Sequence, residues 1–122
     1  MKSGWITHEN ARILYLDISN FGSDFESVKT EIDIVHGTII KQPSNSVSEL
    51  INVQHTVISK KIAELFKNNA ETSKKHLRKI AVIGVTKLTN IIVQAIIYFS
   101  GLNIRTFDDI EKAKDWLADL TT

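Results

Sequence analysis

Cysteine is absent from the 122-residue chain, which excludes disulfides, thiolate catalysis and cysteine-type zinc sites. The absence fits a reducing compartment, so cytoplasm is the expected location. Proline occurs once, at Pro43, and glycine five times, too few for a low-complexity or disordered class. No uninterrupted apolar stretch approaches membrane-spanning length, and Met1 to Asn10 carries no apolar leader segment. Neither membrane insertion nor export is expected. The charge favours no sign: 15 Lys and Arg against 14 Asp and Glu leave a net +1, which builds no field for a phosphate backbone. Nucleic acid is not an expected partner.

What is present is an apolar share of 43% beside 24% charged residues, in a chain long enough to bury a core without staples. One domain over 1–122 is the expectation. The chain is best read from Arg78-Lys79-Ile80-Ala81-Val82-Ile83-Gly84-Val85-Thr86-Lys87. Its apolar run without alternation predicts a strand covered on both faces, Gly84 allows a sharp exit, and Thr86 can cap a following helix.

Upstream, Gly4 to Thr7 and Arg12 to Ile18 predict a hairpin around His8-Glu9-Asn10. Ser23 and Glu26 have capping-box spacing, and Phe25, Val28, Ile32, Val35 and Ile39 then form one helical stripe that ends by Gln42 and Pro43. Val47 to Val53 predicts a strand with polar Ser48 and Glu49 at its start, followed by a helix carrying Ile58, Ile62, Leu65 and Phe66. A short helical piece then returns Leu77 to the core. Downstream, Leu88 to Ser100 predicts the most apolar helix, closed by a left-handed Gly101, then a strand from Ile104 to Phe107. Asp108 and Glu111 suggest the last cap, with Ile110, Ala113, Trp116, Leu117 and Leu120 as the buried face. The class is α/β: a mostly parallel sheet of four to five strands, helices on both faces and an antiparallel N-terminal strand. If the strands from Arg12 and Ile80 are neighbours, which the sequence does not determine, a crevice opens at their carboxyl ends.

The succession Lys79-Ile80-Ala81-Val82-Ile83-Gly84-Val85, Phe99-Ser100-Gly101, Arg105-Thr106-Phe107-Asp108 and Trp116-Leu117 resembles the SpoIIAA-like family of the STAS and SEC14-like superfamily. The resemblance runs from the Arg12 strand onward and implies a small bacterial cytosolic α/β domain with no catalytic residue set. In STAS relatives that antagonise anti-sigma factors, a phosphorylatable serine sits in an Asp-Ser-Ser/Thr-Gly segment at a strand-to-helix junction. The comparable junction here reads Asn52-Val53-Gln54-His55-Thr56, so no regulatory serine is carried over.

Candidate ligand-binding residues are Gly84, Thr86 and Lys87, where a helix N-terminus offers free N–H groups to an anion, and Asp17 and Asn20 at the expected crevice. Thr86 as a plain cap and Asp17 and Asn20 as turn residues are the simpler alternatives. Lys74, Lys75, His76, Arg78 and Lys79 form a basic cluster, read as a solvated helix end. His8, His36, His55 and His76 fall on four elements without zinc-ligand spacing, and no catalytic, metal or cofactor site is readable. Leu88 through Ile104 contains no charged residue. At 100° per residue, Leu88, Ile91, Ile92, Ala95, Ile96, Tyr98 and Phe99 are expected to face the core, leaving Thr89, Val93 and Ile97 as a candidate interface. The leading expectation is a non-enzymatic interaction or regulatory module of STAS type, offering this helix to a protein partner or its own copy. A carrier of a small apolar or anionic ligand, as the SEC14-like side of the resemblance implies, is the alternative, and an enzyme of unknown class is third.

Overall fold

The computed structural model describes residues 2–121. Its five strands are β1 (Gly4–His8), β2 (Ala11–Asp17), β3 (Val47–Asn52), β4 (Leu77–Ile83) and β5 (Ile104–Phe107), lying side by side in chain order. β1 runs antiparallel to β2 through a turn whose Glu9 and Asn10 both have positive φ, and all other pairs are parallel. The helices are α1 (Phe25–Ile39), α2 (Lys60–Ser73), α3 (Lys87–Ser100) and α4 (Ile110–Ala118), with a 3-10 turn at Lys74–His76 before β4. The mixed α/β sheet with its antiparallel first strand agrees with the sequence reading.

The adjacency assumed for a crevice does not hold. β3 lies between β2 and β4, so the Arg12 and Ile80 strands are not neighbours and no reversal of order creates a crevice between them. Parallel strands that step across the sheet in one direction place α1, α2 and α3 on one face, where Leu16, Ile18, Val28, Ile32, Val35, Ile51, Ile62 and Val82 form the larger core. The other face holds α4 alone, with Ala113 and Leu117 against Ile13, Leu50, Ala81 and Ile83.

A bulge in β4 secures that lone helix. Val47 pairs with Leu77 but Ser48 pairs with Lys79, so Arg78 is an extra residue and the alternation of faces is reset. Arg78 and Lys79 consequently reach the same side. Lys79 is 1% exposed and its ammonium donates to the carbonyls of Trp116 and Asp119, each at 2.7 Å. Arg78 donates to the Leu117 carbonyl at 2.5 Å and to Ser48 Oγ at 3.0 Å. Two cations thus satisfy the orphan carbonyls at the C-terminus of α4. Burial first, then the neighbouring Arg78, holds the Lys79 ammonium below the usual lysine range. The basic cluster is therefore in part an internal clamp rather than a solvated helix end.

Two caps fall one residue later than the spacing suggested. Asp24 rather than Ser23 accepts from Ser27 N at 3.1 Å, and Asp109 rather than Asp108 accepts from Glu111 N at 2.8 Å. Leu120 lies beyond α4 and is exposed, not part of its buried face.

Gly84 leaves β4 with φ +84°, and a Cβ there would stand 2.6 Å from Gln54 N. Gly37, inside α1, has nothing within 4 Å of such an atom. The same substitution therefore has opposite signs at the two sites. Gly84→Ala is expected to cost about 2 kcal/mol or more through strain and backbone collision, and Gly37→Ala to gain about 0.5–1 kcal/mol through helix propensity. Urea unfolding of both variants checks the pair.

Candidate functional site

The predicted ligand-binding residues separate into two groups. Gly84, Thr86 and Lys87 line an open crevice of ≈ 520 Å³ at the carboxyl ends of β3, β4 and β5, together with Gln54, His55, Asn90, Thr106 and Asp108. Asp17 and Asn20 lie outside it, because β2 is one strand further away. The Asp17 carboxylate accepts from Ser19 N at 3.0 Å and Ser19 Oγ at 2.6 Å, and Asn20 sits in a left-handed turn. Both close the exit from β2. Thr86 caps α3, accepting from Thr89 N at 3.2 Å. Among the described residues no hydrogen bond joins Asp17, His55 and Lys87, the convergence that acid-base chemistry would require. Half-buried His8 and exposed Glu9 and Asp115 bring three ligand atoms within 4.8 Å of one another, and His8 Nε2 is already hydrogen-bonded to Asp115.

The candidate interface is inverted relative to expectation. Thr89 and Val93 are buried, Val93 being only 9% exposed, and Ile97 is half-buried. Of the residues expected in the core, Leu88 (73%), Ile91 (68%), Tyr98 (82%) and Phe99 (70%) are exposed, with Ala95 between them, whereas Ile92 and Ile96 face inward as expected. The physical reason is that α3 is apolar on both sides, so hydrophobic periodicity could not choose between them. The fold chooses, since α3 follows the penultimate strand, with α2 as its helical neighbour and the four-residue β5 beneath its outer edge.

Behind α3 lies a partly open, mainly apolar cavity of ≈ 80 Å³. Leu16, Ile51 and Val82 form its floor, Ile32 and Phe66 its sides, and Thr89, Ile92, Val93 and Ile96 its roof. Glu49 also lines it, a residue the sequence reading placed at the polar start of a strand. Only 5% of Glu49 is exposed, and no described residue is hydrogen-bonded to its carboxyl. Burial alone pushes its pKa up to about 8. The signal lay in the period of two, since Val47, Glu49, Ile51 and Val53 share a face of β3. The remaining titratable group on the wall is His36, which lies 3.1 Å from Thr72 Oγ1 and which burial holds below its ordinary pKa.

A single mixed sheet with three helices on one face, one on the other and a cavity under the third defines a small α/β domain. The chain belongs to the SpoIIAA-like family, whose model matches residues 3–118. A crystal structure of an uncharacterized protein with a SpoIIAA-like fold from Shewanella loihica PV-4 is similar, with a TM-score of 0.75 over 95% of this chain and 92% of that one. At 16% identity the likeness is one of fold. No curated protein matches the chain. No helix among the described residues is long and apolar enough to cross a membrane.

Glu49 makes stability depend on pH in a stated direction. Its pKa in the folded protein, about 8, lies above the ordinary 4.5, so the unfolded chain releases this proton first and folding is penalised increasingly as pH rises from 4.5 to 8. Glu49→Gln removes the titration. Its stability relative to the wild type is expected to improve by roughly 3–4 kcal/mol across that interval, read by urea unfolding at both ends. A difference that stays constant with pH would place the carboxyl in contact with water.

Proposed function

We propose that this protein is a non-enzymatic interaction module of the STAS type that works through α3, with a second copy of the chain as its partner. The observation that carries this reading is the exposed apolar ridge of Leu88, Ile91, Tyr98 and Phe99. With Ala95 between them, Leu88, Ile91 and Tyr98 succeed one another at three or four residues and Phe99 adjoins Tyr98, so they lie along one side of a helix roughly 20 Å long. A two-fold axis at the middle of that side sets Leu88 of one copy near Phe99 of the other, with small Ala95 beside the crossing where backbones must approach. No charged residue lies between Leu88 and Ile104, so the cations beside the ridge stand at its ends, Lys87 before Leu88 and Lys67 of α2 over the Phe99 ring.

A second reading, carriage of a small ligand, is favoured by the cavity that the inner side of α3 roofs. The two readings use opposite sides of one helix.

The first is tested by sedimentation over a range of concentrations. The wild type is expected to dimerise, and Ile91→Lys to be monomeric with its unfolding free energy changed by no more than about 0.5 kcal/mol, since the side chain is exposed. A wild type that stays monomeric at every concentration overturns the homotypic partner.

A further inference from the structure

We propose that the cavity behind α3 takes an uncharged, mainly apolar small molecule, held by one hydrogen bond that the Glu49 carboxyl donates to a carbonyl-type acceptor. The inference rests on the carrier reading and names the chemistry its ligand must have.

Every described side-chain N or O that is sealed from open space has a hydrogen-bond partner. The Glu49 carboxyl has no partner among the described residues, so its free capacity points to open space, and the open space at that buried position is the cavity it lines. A buried acid without a partner is costly to keep, and its cost falls when a ligand supplies the missing bond. The walls decide which ligand. From β2, β4 and β5 come only aliphatic side chains, among them Leu16, Ile80, Val82 and Ile104. From α2 and α3 come polar but uncharged Asn69, Ser73 and Thr89, and from α1 comes His36, whose charged form burial disfavours. No lysine or arginine lines the cavity and the one imidazole is disfavoured as a cation, so an anionic ligand would find no fixed counter-charge. A cationic ligand would require Glu49 to ionise and a whole ion pair to be desolvated against aliphatic walls. A neutral acceptor meets neither penalty, and below pH 8 the carboxyl still holds the proton to donate.

The volume of ≈ 80 Å³ is about half that of a cavity that takes up benzene, which suits a thin chain entering from the open side. The probes are therefore 2-hexanone and 2-methyl-1-hexene, which differ in having C=O or C=CH2 at one position. Binding to the full chain is followed by methyl NMR of the wild type, Glu49→Gln and Glu49→Leu, at about pH 6.5 and about pH 9.5, which bracket the titration. Glu49→Leu is expected to weaken the ketone about tenfold relative to the alkene at the lower pH. The wild type should lose ketone affinity by a similar factor at the higher pH, while Glu49→Gln, which keeps a donor and cannot titrate, should not. If Glu49→Leu affects ketone and alkene alike and neither depends on pH, the inference falls and the carrier reading stands. If neither probe binds any of the three proteins, both fall. Tighter binding of hexylamine than of 2-hexanone to the wild type at the lower pH also overturns the inference, because it makes Glu49 a counter-ion instead of a donor.

Discussion

Right-handed crossovers between strands that advance across the sheet in one direction leave α1, α2 and α3 a single face to occupy. Three helices then share one core, and the opposite face depends on α4 alone. A nine-residue helix has little intrinsic stability, so its position rests on tertiary contacts. The bulge at Arg78 supplies them by turning two consecutive cations toward the C-terminus of α4. At the other end of the domain the N-terminal segment is held by buried Glu31 of α1, whose carboxylate accepts from Ser3 N at 3.0 Å and Ser3 Oγ at 2.7 Å. Charged groups thus secure the ends, while aliphatic packing secures the middle.

Much of this was legible in the sequence, because it depends on local rules. The stripe from Val28 to Ile39, the exit at Gly84, the Thr86 cap and the left-handed Gly101 each need only a few neighbouring residues to be recognised. Strand order was not legible, because hydrophobic pattern says that a strand is buried and not beside which strand it lies. The bulge was hidden for a related reason: Arg78 and Lys79 read as an exposed charged pair unless one knows that α4 ends above them. Glu49 was half visible. Its period-two place among Val47, Ile51 and Val53 marked it as inward, but a polar residue near a strand's start is ordinarily solvated. The two sides of α3 were beyond sequence reasoning, since Leu88, Ile91 and Tyr98 are more apolar than the side bearing Thr89 and Val93 that the fold buries.

That inversion gives α3 its interest. A helix that merely closed a core would present polar residues to water, and α1 and α4 do so with Lys29, Asp33, Glu111 and Lys112. In α3 the fourteen residues from Lys87 to Ser100 carry one charge, at the first position. Its outer apolar side contributes nothing to the stability of the isolated domain and leaves hydrophobic area in water, a cost that selection tolerates where the surface is used.

The cavity extends the same argument inward. An unpartnered Glu49 lowers stability at neutral pH, whereas a leucine in its place would fill space and remove the penalty. The molecule therefore forgoes stability on both sides of α3, through exposed aliphatics outside and a buried acid inside. Sites that depart from the most stable arrangement are where function is to be sought. Because both departures involve one helix, a ligand behind α3 and a copy in front of it would bias the same element. Any influence of the first on the affinity of the second would then be matched by an equal influence in return.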